Sequence, residues 1–242
     1  MRAPVRRGSE PTWMRPLTER LSRAIKTLIV VDAVLFSFYV FVKEAQPFFT
    51  QHLALGPAVR AGELWQPVTS LFVHLDFLSF LFNLIGLWFV GATIERQLGT
   101  RRMLTLFFAA GIAANVAMAL VSAAVATPEI IAGCGTAVLA LFVAFGVIFG
   151  RTPARVLGGL VLEARMLTAI LVGFALLADL MRGSLASLVG DVVAIVLGYV
   201  LSGGRGHELR GLWSNLRARR SRRRYQVLEG GRSGPRPPSY LN

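Results

Sequence analysis

Apolar residues in this chain run in long blocks rather than at the alternating or 3.6-residue spacing of an element with one wet face. Six blocks stand out: Ile25 to Val42, Asp76 to Ile94, Met103 to Val121, Gly133 to Phe149, Met166 to Leu180 and Leu185 to Leu201. Each approaches the length that crosses roughly 30 Å of hydrocarbon at about 1.5 Å per residue. The pattern predicts six transmembrane helices. Composition agrees, since 54% of the 242 residues are hydrophobic and 16% are charged, against roughly 25% charged in a soluble domain. A mean hydropathy of +0.58 points the same way. An ordinary water-soluble fold is excluded.

The net charge of +13 changes the picture through where the cations lie. Arg2, Arg6, Arg7, Arg15, Arg20, Arg23 and Lys26 precede the first span, and Arg96, Arg101 and Arg102 separate the second from the third. Arg151, Arg155 and Arg165 separate the fourth from the fifth, and ten arginines from Arg205 onward follow the sixth. Lys43, Arg60 and Arg182 alone fall on the opposite face. The positive-inside rule makes the rich face cytoplasmic and places both termini there. The first block is expected to be retained, because Phe41-Val42-Lys43-Glu44 offers no small-residue cleavage site.

These assignments divide the chain into a basic N-terminal segment (1–24), a six-span domain (25–202) and a basic C-terminal segment (203–242). In the last, Leu209, Leu212, Trp213 and Leu216 form an apolar helical stripe followed by six arginines between Arg217 and Arg224, and residues 230–242 read as a disordered tail. Such a segment beside a span is expected to lie on anionic lipid rather than to bind nucleic acid. A single cysteine rules out an intramolecular disulfide and any multi-cysteine metal cluster, and three histidines leave little for a His-rich site. No cofactor or metal is expected.

Ionisable side chains inside hydrocarbon cost about 2.5 to 3.5 kcal/mol each, so each needs a partner or a purpose. Asp32 lies mid-way along span one, Asp179 near the outer end of span five and Asp191 about six residues into span six; Asn83 and Asn115 add two amides. Asn83 falls roughly 10 Å below the outer start of span two. Asp191 reaches a similar depth, and Cys134 sits at the tip of span four. Three parallel spans thus carry polar groups in the outer leaflet, which suggests a water-filled cavity opening outward. Paired broken helices or repeated halves, the marks of a transporter, are missing from the pattern.

The run Gly62-Glu63-Leu64-Trp65-Gln66-Pro67-Val68-Thr69-Ser70-Leu71-Phe72-Val73-His74 resembles the external loop of rhomboid intramembrane serine proteases. Asn83, the stretch Gly91-Ala92-Thr93-Ile94-Glu95 with Gly99, and the small-residue spacing Ala194 to Gly198 extend that resemblance over about Gly62 to Gly198. It implies an all-α, six-helix rhomboid-like bundle in the plasma membrane of a bacterium. The chain departs from the family where chemistry is done. In the family a Gly-x-Ser-Gly turn supplies the nucleophile at the start of span four; here Ala132-Gly133-Cys134-Gly135 stands there, with Cys134 at the serine position or, one register along, Gly135. Asp191 occupies the position of the family's span-six His, Ser79 that of a second His, and Gln66 that of the Arg after Trp65.

Peptide cleavage needs a base that takes the nucleophile's proton and returns it to the leaving amine. Imidazole does both near neutral pH, whereas a thiolate beside an ionised carboxylate suffers like-charge repulsion. Cys134 with Asp191 makes a poor dyad. By the resemblance these are the catalytic positions, while Ser79 and Asn83 are the oxyanion or substrate-binding ones. Each also has a plain reading, Cys134 as a small apolar filler and Asp191, Ser79 and Asn83 as interhelical hydrogen-bonding groups. Two functions follow. The chain is expected to be a pseudoprotease that binds transmembrane segments of client proteins, or else an active intramembrane peptidase with an atypical Cys/Asp site.

Overall fold

The computed structural model describes residues 21–57, 59, 62–125, 129–155 and 161–203. The basic segment before residue 21 and everything after residue 203, including the apolar stripe at Leu209 to Leu216 and its arginines, lie outside the described residues. Helix α1 (Arg23–Phe41) opens at Ser22, whose Oγ accepts the Ile25 N–H at 3.2 Å. This is an ordinary N-cap, which satisfies one of the four free N–H groups at the helix start.

The external segment that follows is built of short turns. A 3₁₀ turn (Lys43–Ala45) leads to α2 (Gln46–Phe48), a π turn (Phe49–Leu53), α3 (Gln66–Thr69) and a second 3₁₀ turn (Ser70–Phe72). Gln66 organises it. Its side chain is fully buried, donates to the Gln51 carbonyl and to Glu63 Oε2 at 2.9 and 2.8 Å, and accepts the Gly56 N–H at 2.9 Å. Trp65 is half-exposed and donates its indole N–H to the His52 carbonyl, and His52 Nδ1 lies 2.6 Å from Glu63. The same segment reaches the start of the fourth block through paired backbone hydrogen bonds between Leu55 and Ile131 and through the Gly133 N–H on the Ser70 carbonyl.

Asp76 caps α4 (Phe77–Gly86) by accepting the Ser79 N–H at 2.7 Å. A π turn (Leu87–Gly91) and α5 (Ala92–Leu98) continue the same rod, which ends at Gly99 with a positive φ of 85°. Then come α6 (Thr100–Val125), α7 (Gly135–Phe149), a hairpin of β1 (Pro153–Arg155) and β2 (Val161–Glu163), α8 (Ala164–Arg182) and α9 (Leu185–Leu201). The helices fall within a few residues of the six predicted blocks. The small antiparallel hairpin was not expected. Its three-residue strands are too short to give a periodic signal.

The chain is therefore a largely helical, multi-pass membrane protein. Four helical segments, α1, the Phe77–Leu98 rod, α6 and α8, are long and apolar enough to cross a bilayer, while α7 and α9 are apolar but shorter, at 15 and 17 residues. Helix α7 is the central one: it packs against α6, α8 and α9, and every residue from Thr136 to Leu141 is buried. Close approach of α9 depends on two glycines. A Cβ on Gly198 would meet the Ala140 carbonyl oxygen at 2.7 Å, and one on Gly190 would strike Met118 of α6. Backbones that touch in this way gain van der Waals contact, which drives helix association where lipid is as apolar as leucine.

Gln66→Ala is expected to cost about 2 to 4 kcal/mol, because three hydrogen bonds are lost and their buried partners are left unmatched. Thermal melts of wild type and variant in detergent measure it, and an unchanged melting temperature would show that the external segment does not depend on this side chain.

Candidate functional site

The N-terminus of α7 is set by Gly133, which adopts a φ of 108° and turns the chain so that Cys134 becomes the N-cap residue. From there the Cys134 side chain points into the bundle and is fully buried. Its Sγ lies 3.9 Å from Asp32 Oδ2 on α1 and 3.8 Å from His74 Nε2 in the turn before α4. Asn83, on the second turn of α4, donates an amide N–H to the same His74 nitrogen at 3.1 Å. Four residues from four segments thus form one polar knot. Asp32 and His74 are each 1% exposed and Asn83 7%.

Accepting the Asn83 N–H requires a neutral imidazole with its proton on Nδ1, a nitrogen without a hydrogen-bond partner. Burial pushes His74 down to about 4, in keeping with that neutral form at pH 7. Asp32 Oδ1 has no hydrogen-bond partner. Among the described residues no cation pairs with Asp32. The Asp32, His74 and Cys134 donor atoms lie within 4.8 Å of one another, which gives this cluster the makings of a metal site.

Asp191 lies elsewhere. It stands seven residues, about two turns, before Gly198, so it shares the α9 face that touches α7 and sits near the α7 N-terminus. Its carboxyl faces that of Asp179 on α8. Asp179 also faces Arg182 at 3.6 Å, and nearby Ser184 donates to Glu129 at 2.6 Å. No hydrogen bond joins Cys134 to Asp191.

Of the residues singled out from sequence, the structure brings Cys134 and Asn83 into one cluster and leaves Asp191 in another. Ser79 is half-buried in the first turn of α4, one turn above Asn83, with its backbone N–H held by Asp76. Asn115 donates to the Pro67 carbonyl and to Ser70 Oγ, both at 3.0 Å, and so ties α6 to the external segment. Asp32 and His74 as partners of the thiol were not legible. Asp32 was marked by its cost inside hydrocarbon, but nothing in its spacing points across the 102 residues to Cys134. The expected outward cavity is also absent around Cys134, which has no exposed surface; the external segment and the Gly133 turn close over it.

The comparisons with known proteins match this architecture. The family model described as "Rhomboid domain" matches residues 61–204, more than half of the chain. "Rhomboid protease GluP" of Bacillus subtilis (strain 168) is 36% identical over 59 residues, 24% of this chain and 12% of that protein. "Rhomboid-like protease 2" of Toxoplasma gondii is 37% identical over 84 residues, 34% of this chain and 28% of the relative. "Putative rhomboid protease YdcA" of Bacillus subtilis (strain 168) is 26% identical over 98 residues, 40% and 49% of the two chains. The matched stretches thus span about half or less of each relative's length. With the helical rod from Phe77, the buried α7 and the glycine contact between α7 and α9 all falling within the matched region, this chain belongs to the rhomboid family.

Proposed function

We propose that the chain is a six-span rhomboid pseudoprotease of a bacterial plasma membrane, with both termini cytoplasmic, which binds transmembrane segments of client proteins without cutting them. One observation carries this reading: the Cys134 thiol turns inward to Asp32 and His74 with no exposed surface, while Asp191, at the family's histidine position, faces Asp179 instead. A nucleophile needs a path to the substrate carbonyl and a base within reach. Position 191 offers a carboxyl already engaged, and position 134 offers a thiol sealed from both leaflets. The relatives' names describe proteases, so the scaffold is retained where the chemistry has changed.

Six spans are supported by depth. Helix α7 starts beside Asn83, six residues into α4 and thus about 9 Å below its outer end. Its 15 residues add about 22 Å, so together they reach the roughly 30 Å of a bilayer core. A short α7 is what a span needs when it begins inside the protein. Client segments would meet an apolar exterior: Met166, Ile170, Phe174, Leu177 and Met181 make a continuous exposed stripe along α8.

A second reading rests on the 3.8 Å between Cys134 Sγ and His74 Nε2, which would make His74 the base of a cysteine peptidase. Reconstitution with a single-span test protein separates the two. The wild type is expected to retain the test protein in co-purification and leave it intact; cleavage that disappears in Cys134→Ala or His74→Gln would overturn the pseudoprotease.

Topology is open to labelling. Cysteine in place of the exposed Glu44, in a Cys134→Ala background, is expected to react with an impermeant maleimide in intact cells, and cysteine in place of Arg101 is expected to react after lysis alone. The reverse pattern would invert the bundle.

At position 191 the hydrogen bond, and not the charge, is expected to matter. Asp191→Asn keeps a donor and an acceptor toward Asp179 and should melt with the wild type, whereas Asp191→Leu leaves Asp179 unmatched and should lose about 1 kcal/mol of helix association. A loss for Asn with none for Leu would show that the carboxyl itself is required.

A further inference from the structure

We propose that Asp32, His74 and Cys134 form a binding site for one divalent transition-metal ion, zinc in the first instance. The reading goes beyond the pseudoprotease function and does not depend on it. The three side chains supply an oxygen, a nitrogen and a sulfur from α1, the turn before α4 and the α7 N-cap, all buried and all within 4.8 Å of one another. Ligand bonds of about 2.3 Å for sulfur and about 2.0 to 2.2 Å for nitrogen and oxygen place tetrahedral donors roughly 3.4 to 3.6 Å apart. The two sulfur edges, at 3.8 and 3.9 Å, need to close by a few tenths of an ångström, and the edge between the Asp32 oxygen and the His74 nitrogen, within 4.8 Å, by about an ångström or more.

Charge and valence favour the ion. A zinc ion with one thiolate, one carboxylate and one neutral imidazole is neutral overall, which suits an interior without a counter-cation. Loading releases the protons that the thiol and carboxyl hold and involves no oxidation or reduction. Without an ion, Asp32 is 1% exposed inside a span, with Oδ1 lacking any partner. His74 offers Nε2, 3.8 Å from the thiol, as the nitrogen ligand, with Nδ1 left to carry the proton. Its Nε2 lone pair accepts the Asn83 N–H, and that amide turns aside when the ion takes the lone pair. Gly133 leaves the space beside His74 Nε2 and Asn83 Nδ2 free of a Cβ, room for a water or the amide oxygen as fourth ligand. Mixed sulfur, nitrogen and oxygen donors in tetrahedral reach select zinc over magnesium or calcium.

The full chain, produced in zinc-supplemented medium and purified in detergent through a tag without histidine, is expected to carry about one zinc per chain by elemental analysis. Exchange with cobalt(II) is expected to give a thiolate-to-cobalt charge-transfer band. Because the chain has a single cysteine, that band assigns the ion to Cys134 in the wild type itself, whether or not any variant folds. Cys134→Ala should abolish the band, and Asp32→Asn and His74→Gln should lower the zinc content about tenfold or more, while Asp191→Asn should leave it unchanged. A wild type that holds no zinc after loading and shows no charge-transfer band would overturn the site, as would zinc retained undiminished in Cys134→Ala.

Discussion

Polar side chains inside a membrane domain have few choices of partner, and in this protein that shortage fixes the geometry of the outer half of the bundle. Asp32, His74, Asn83 and Cys134 come from α1, the turn before α4, α4 itself and the α7 N-cap, and they meet one another. All four are buried, so separating any one from the rest leaves donors or acceptors without partners. The cluster sets the height at which α7 begins. That height in turn explains a helix of 15 residues in a bilayer that ordinarily takes about 20. The external segment completes the arrangement from above, with Gln66 holding its turns together and the Gly133 N–H bonded to Ser70.

The contact of α9 with α7 is held by a different principle. Around Gly198 the two helices approach until a Cβ would meet the Ala140 backbone, with Ala194 buried beside it. No polar group is needed there, and the gain comes from dispersion at close range. The two principles are separable. Substitutions at positions 134 and 191 would alter the polar contacts while leaving the Gly198 contact as it is.

Helix positions were legible because hydrophobic blocks of bilayer length leave little freedom: α9 spans Leu185–Leu201, as the block predicts. Family membership was legible because Trp65, Asn83, Glu95 and the glycines carry it. Partnerships across the bundle were not. Asp191 was placed correctly on its helix, but its meeting with Asp179 depends on how α8 and α9 are rotated, and two nearly all-apolar helices give no periodicity from which to read a rotation. Cys134 was expected to face an outward cavity beside Asp191. After the positive φ of Gly133 it meets Asp32 and His74 instead, and a single glycine in a sequence does not announce the sign of its φ.

The replacement at position 191 follows from the same shortage of partners. An imidazole needs a proton acceptor or donor on each nitrogen, and the group that faces position 191 across the helix interface is Asp179. A second carboxyl meets that neighbour without a net cation, while Arg182 stays at the surface and pairs with Asp179 from outside. The pair therefore closes the α8–α9 interface at the level where an enzyme of this architecture would keep a base free. On the pseudoprotease reading proposed above, the Asp191 carboxyl serves the packing of α8 against α9 rather than the movement of a proton toward α7.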